Sequence, residues 1–444
     1  MELLIYSRKI SNRFEFITRF IFKEILKVNY RLTTSFTEAS EYSGPLICYD
    51  SKAIASSLHI LPQGLLCETG VQVHTFEFTT WNGLPAFPAC KSDADIPFDI
   101  FTASFYLVSR YEEYVSKKFD KHGRFPASQS LAEKHNFLHL PIVDIWAFEL
   151  LKLLEKRFGV KSVKARKFSW LTTFDMDCAF MFRHKGFLRN ASGMLRSFVT
   201  LNFAELALRL KVLLGFELDP MDVYSELMDI LPQGSKTLWF IHAGKWGKYD
   251  KSISLKNKLV SGLVEQLSDK YEVGIHPSYK SFLNENQYRK ELSTLVSALL
   301  RAVTVSRFHF LRFKIPDSFR FLSTCGITTE YSMGYPDRVG FRAGTCTPFT
   351  LYDLLDEQSL NVKVVPFAVM DSTLKMRLKL NEQQAVKQIQ DLVDVVKSVN
   401  GTFVSIWHTN YLASFGKNKG YFPVLQGMLD YLKTFDDEYP NLTA

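Results

Sequence analysis

The segment TFDMD sets Asp175 and Asp177 two residues apart, just past an apolar run. On extended backbone, residues i and i+2 point to one face, so both carboxylates can converge on one site. Two carboxylates pressed together repel unless a proton or a cation separates them. A divalent metal on one, with the other free as a base, resolves the repulsion and supplies hydrolytic chemistry. An aspartate turn capping the next helix accounts for the same spacing. His276 closes the run YEVGIH, where an imidazole is either a polar cap or a ligand for zinc or a similar metal. SRFHFLRF, read with a strand's period of two, puts Arg307 and His309 on one face and Phe308 and Phe310 on the other. His408 ends SIWH beside Trp407; such a histidine can protonate a leaving group, and the indole can stack on a sugar ring. Arg342 lies between Gly340 and Gly344, a close-backbone turn whose guanidinium could orient a carboxylate. His59, His74, His122, His135, His139, His184 and His242 lack convergent partners in sequence and read as structural or surface residues.

The elements that must position these groups are apolar, strand-like runs at 169–177, 236–244, 271–276, 302–310, 361–371 and 401–408. Amphipathic helical stretches, such as 253–270 and 381–400, lie between several of them. That alternation predicts an α/β fold with a parallel sheet and helices outside, open or closed into a barrel. Functional side chains in such folds gather at the C-terminal ends of strands. Asp175, Asp177, His242, His276, Arg307, His309, Asp371 and His408 all fall at or near such ends. Upstream, 3–7 and 44–50 read as strands and 99–115 as helical, and 141–158 is an amphipathic helix with Pro141 at its start and Gly159 beyond its end. The basic stretch 161–168 marks a boundary, giving a smaller α/β domain over 1–165 and a second domain over 166–444. The run 194–216, with Arg196, Arg209 and Lys211 among many apolar residues, reads as a packed helical insertion. Membrane contact is the alternative, and would favour lipid-linked glycan precursors as substrates.

The 444 residues are 46% hydrophobic and 23% charged, with a net charge of +8. This excludes intrinsic disorder, collagen-like repeats and a disulfide mini-scaffold. Lys and Arg are dispersed, so no nucleic-acid partner is expected. The six cysteines are irregularly spaced without a CxxC pair, which points to free thiols and a reducing compartment. Arg8, Lys9 and Arg13 interrupt any signal-like apolar stretch, and no window suits a spanning helix, so the expected location is cytoplasmic.

In order, strand–TFDMD, strand–HPS, strand–SRFH and strand–WH resemble the NodB-type polysaccharide deacetylases, carbohydrate esterase family 4. The whole chain is similar to bacterial proteins of this family that carry an extra N-terminal domain, often found in Bacteroidetes surface-polysaccharide loci. Residues 98–114, 120–132 and 141–146 look like that N-terminal domain, and 328–345 and 366–374 like the C-terminal one. The resemblance implies a distorted (β/α) barrel preceded by a smaller α/β domain. It implies a metal-dependent hydrolase, zinc being the expected metal, that removes an acetyl group from an N-acetylated, less often O-acetylated, saccharide or glycan precursor. Asp175 would be the general base, Asp177 a metal ligand and His408 the general acid. His276 matches the first histidine of the family's H-x-x-x-H metal motif, but Lys280 stands in the place of the second. His309 is expected to supply the third ligand from the neighbouring strand. Arg307 falls where the family keeps an arginine that orients the base, and Arg342 is the other candidate for that role. Lys280 also supports a different reading, a barrel that binds saccharide without turning it over.

Overall fold

The computed structural model describes residues 2–91, 94–232, 236–416 and 419–435. Near the N-terminus, β1 (Leu3–Tyr6), β2 (Tyr30–Thr33), β3 (Leu46–Tyr49) and β4 (Leu58–Ile60) form a parallel sheet in the order β2-β1-β3-β4. A hairpin of β5 (Thr79–Trp81) and β6 (Leu84–Ala86) follows. The stretch 99–115 is not one helix but two, Ile100–Val108 and Tyr111–Val115. Arg110 breaks it with a left-handed backbone (φ 56°), which turns its buried guanidinium onto Glu112, Glu113 and the carbonyl of Arg342. The helix Ile142–Phe158 runs from Pro141 to Gly159, whose φ of 71° lets its N–H close back on Glu155.

The larger sheet comprises β7 (Ser169–Met176), β8 (Thr237–His242), β9 (Glu272–His276), β10 (Val305–Ser306), β11 (Thr329–Glu330), β12 (Phe349–Asp353), β13 (Gln358–Val364), β14 (Val369–Met370) and β15 (Thr402–His408). Their order is β12-β13-β11-β10-β9-β8-β7-β15-β14, all pairs parallel except β12 with β13. Along β8, Leu238 and Phe240 face one apolar cluster while Trp239 and Ile241 face another, as a strand buried on both faces requires. The first cluster also holds Val305, Val365, Phe367, Val404 and Ile406, from both halves of the ladder, so the sheet is strongly curled.

The pairing is nonetheless an open ladder that ends at β12 and β14, and a closed barrel is not formed by these strands. Residues 365–368 bridge the gap instead. Val365 donates to the carbonyl of Glu330, beside β13, and Ala368 to that of Val404 in β15. Pro366 lies in this bridge and cannot donate, so a continuous strand over 361–371 is broken into β13 and β14. The run 302–310 is likewise reduced to the two residues of β10, because Phe310 turns the chain with φ 62°. β10 lies between β9 and β11, so it is an inner strand.

Helices cover the outside. Glu382–Ser398 starts at a capping box, in which Asn381 and Gln384 satisfy each other's backbone N–H, and buries Ala385, Ile389, Leu392, Val393 and Val396. Buried polar contacts tie the N-terminal sheet region to the larger sheet. Glu113 grips Arg342 at 2.6 and 2.9 Å, and Asp144 accepts from Thr345, Thr347 and the backbone of Cys346. Among the described residues, no helix is long and apolar enough to cross a membrane.

Candidate active site

Because β7, β8, β9, β10, β14 and β15 run parallel, their C-terminal ends open on one side of the sheet. Register then sets the neighbours: His408 pairs with Asp175 across β15 and β7, and His242 with His276 across β8 and β9. The result is a cavity of about 400 Å³ lined by Asp175, Asp177, His276, His309 and His408. A wall of it comes from upstream, from His122 and Arg124.

Asp177, His276 and His309 bring three donor atoms together. Asp177 Oδ1 lies 3.2 Å from His276 Nε2 and 3.4 Å from His309 Nε2. Hydrogen bonds fix the tautomers. His276 Nδ1 donates to the carbonyl of Arg307 at 2.6 Å, and His309 Nδ1 to Asp250 Oδ1 at 3.0 Å. In a neutral imidazole this leaves the Nε2 lone pair aimed at Asp177. Asp177 Oδ1 and His276 Nε2 are buried, and their alignment makes no hydrogen bond despite the short separation. Facing acceptors repel, so this spot needs an added proton or a cation.

The geometry suits a cation. Ligand atoms about 2.1 Å from a tetrahedral zinc stand about 3.4 Å apart. Without one, burial would raise Asp177, but the imidazoles of His309 and His276 override it and hold the carboxyl well below its usual range. The same carboxylate, with Asp250, overcomes the burial that would lower His309 and lifts it to about 9.

A second cluster, His242, Asp250 and His309, is close enough to hold an ion. It is satisfied without one. Gly244 N–H donates to His242 Nδ1, so Nε2 carries the proton and gives it to Asp250 at 3.0 Å. Asp250 Oδ1 also accepts the backbone N–H of Tyr279 at 2.9 Å. Asp250 therefore acts as the anchor that orients His309.

The acid–base groups sit beside this centre. Arg307, fully buried over the Phe240 ring, donates from Nη1 to Asp175 Oδ1 at 2.7 Å. Asp175 Oδ2 is left facing His276 Nε2 at 3.7 Å and His408 Nε2 at 3.8 Å. Asp371 accepts from His408 twice, from Nδ1 at 2.7 Å and from the backbone N–H at 2.6 Å. Burial opposes a charged His408, yet Asp371, with Asp177 and Asp175 farther off, raises it to about 10.

The sequence-derived candidates thus separate. Asp175, Asp177, His276, Arg307, His309 and His408 come together. Arg342 does not: Glu113 holds its guanidinium, which stacks on Phe313 and Tyr335, so the expectation that it orients the base is corrected. Lys280 is exposed in the turn Tyr279–Ser281 and leaves the third imidazole position to His309. Sequence reasoning set aside His242 and His122 and missed Asp250 altogether. Asp371 was noted at a strand tip without a role; the signal for it was its place directly after an apolar run.

The fold and this cluster together define a mixed α/β protein with a carboxylate–imidazole centre at its strand tips. Residues 3–159 match the model of a family of unknown function, DUF7033. A comparison with curated proteins gives no match. Among solved structures, the chain is similar to a protein provisionally named a polysaccharide deacetylase from Mycobacterium smegmatis, at 11% identity and a TM-score of 0.38 over 62% of this chain and 87% of that one. It is also similar to a GH57-type branching enzyme from Pyrococcus horikoshii, at 13% identity and a TM-score of 0.30 over 72% of this chain and 68% of that one.

Proposed function

We propose that the chain is a metal-dependent hydrolase that removes acetyl groups from an N-acetylated or O-acetylated saccharide, as the NodB-type resemblance of its motifs implies. One observation carries the reading: three donor atoms of Asp177, His276 and His309, two of them buried without a hydrogen bond, lie beside an arginine-held carboxylate and an aspartate-held imidazole. The donor set of two imidazoles and one carboxylate favours zinc among divalent ions. Such an ion, held by those three residues, would supply polarisation of the acyl oxygen and a water of lowered pKa.

The chain's own groups do the rest. Asp175 accepts the proton of the attacking water at Oδ2, because Arg307 occupies Oδ1 and leaves Oδ2 free toward the cavity. His408 delivers its Nε2 proton to the departing amine or alcohol, and Asp371 behind Nδ1 keeps that proton in place at neutral pH. The amine needs this proton, since an amide anion is too poor a leaving group. His122 and Arg124 bound the space left for the sugar. Lys280 lies exposed outside the cluster, and His309 beside Asp177 supports the hydrolase over a barrel that only binds saccharide. The six cysteines are unpaired, in keeping with a reducing, cytoplasmic setting.

The test is acetate release from N-acetylglucosamine oligomers and acetylated xylan by zinc-loaded protein. One zinc per chain and steady acetate release are expected, with Asp175→Asn binding zinc as before but slower by a factor on the order of 10²–10⁴. Absence of both zinc and acetate ends the proposal.

A further inference from the structure

The helices Phe187–Val199 and Phe203–Leu213 form a hairpin whose two faces are inverted relative to an ordinary surface element. Its inward face is polar on the first helix and mixed on the second. Asn190 and Ser197 are the buried residues of the first helix, and Arg209 is buried in the second beside Val212. Arg209 lies over the Phe182 ring and donates to Asn190 and Glu205. Gly193 makes room for it, since a Cβ there would meet the guanidinium at 2.5 Å. Asp219 clamps the base by accepting the backbone N–H groups of Met181, Phe182 and Arg183. The hairpin is thus held in place, yet its outward face is apolar.

Phe187 and Leu188 are 85% and 81% exposed, and Leu195, Phe198, Val199 and Leu201 continue the face. Phe203 and Leu210 extend it along the second helix, and Leu214 and Phe216 just beyond its end. Trp246, from the loop after β8, is 58% exposed and stands between Arg189 and Lys251. A contiguous apolar face of this kind on a polar-anchored element marks a docking surface.

Charge selects the occupant. Arg189 and Lys251 lie against the Trp246 ring, Lys185 and Arg196 belong to or adjoin the first helix, and Lys245 and Lys248 share the Trp246 loop, while the acidic Glu205 and Glu217 are paired with Arg209 and Lys211. A second copy of the chain would bring two rims of the same sign together. An anionic bilayer surface attracts the rim and accepts the apolar side chains, with Trp246 at the level where indoles settle. We infer that this face docks on an anionic membrane surface. The hairpin and the Trp246 loop leave the C-terminal ends of β7 and β8, so the docked face and the cavity share one end of the sheet. The inference stands apart from the hydrolase reading, because its readout is binding alone.

The test is co-sedimentation of the full chain with vesicles of equal parts phosphatidylglycerol and phosphatidylcholine, and with phosphatidylcholine alone. Strong pelleting with the anionic vesicles is expected, weakened in about 0.5 M sodium chloride. The triple change Phe187→Ser, Leu188→Ser, Phe198→Ser should lower the partition at least about tenfold while leaving the circular dichroism melt in place. The triple change Lys245→Gln, Lys248→Gln, Lys251→Gln should weaken binding to the anionic vesicles and reduce its salt dependence. Failure to pellet, equal binding to both vesicle types, or unchanged binding by the serine variant overturns the inference. A dimer in sedimentation equilibrium that the serine variant dissociates also overturns it, in favour of a second copy.

Discussion

Replacing Asp371 with Asn removes the charge that keeps His408 protonated while preserving side-chain size. Burial works against a charged imidazole here, yet Asp371, 2.7 Å from Nδ1, lifts His408 from the ordinary 6.5 to about 10. Loss of a hydrogen-bonded carboxylate lowers a pKa by about 1–3 units, worth about 1–4 kcal/mol. Imidazole titration by NMR of protein stripped of divalent ions reads this directly. The chain has 10 histidines, and a His408→Gln spectrum identifies the resonance. In the native protein it should titrate near 10, and in Asp371→Asn at about 7–9. Stability follows the same group. A pKa raised by folding contributes stability that is complete below the ordinary histidine value and is lost as pH rises through about 10. The urea midpoint of Asp371→Asn should therefore fall furthest below native near about pH 6 and converge with it above about pH 10. A His408 resonance that titrates alike in both proteins, or a deficit that grows with pH, refutes the reasoning.

Three further outcomes are expected. Arg307→Met leaves the buried Asp175 without its partner and should cost about 3–5 kcal/mol in urea unfolding; an unchanged midpoint would show that the pair is dispensable. His309→Ala should abolish tight zinc binding in chelator competition, and Asp250→Asn should weaken it about 10–100-fold, whereas Lys280→Ala should leave it as it was. Glu113→Gln strips the shared carboxylate from buried Arg110 and Arg342, so unfolding should be easier by about 3–5 kcal/mol with zinc affinity unaltered. A loss of zinc in that variant would instead tie Glu113 to the centre.

Much of the site was legible because a parallel sheet forces loop chemistry to one edge. Once apolar runs were placed, Asp175, Asp177, His276 and His408 had to lie near one another, and register did the rest. Asp250 was not legible, because it sits alone in the basic loop KWGKYDK, where no periodicity signals what it faces. His242 was at a strand tip but its partner was that same unseen aspartate. Arg342 looked suitable by type, and only the fold reveals that Glu113, 229 residues away in sequence, claims it. The amphipathic run 194–216 read as packed, since a hydrophobic period tells how many faces a helix has but not which one meets the protein. Ser197, Arg209 and Val212 take the inside there, and most of its apolar side chains stay outside.

The short stretch 120–124 reaches the cavity from a part of the chain that precedes every strand of the larger sheet, with Arg124 bonded to the carbonyl of Phe310 and His122 close to the hydroxyl of Tyr279. If the proposed hydrolase reading holds, recognition and bond-breaking would fall to separable pieces of polypeptide. On that reading, exchange of these five residues would alter selectivity while sparing the groups at the strand tips.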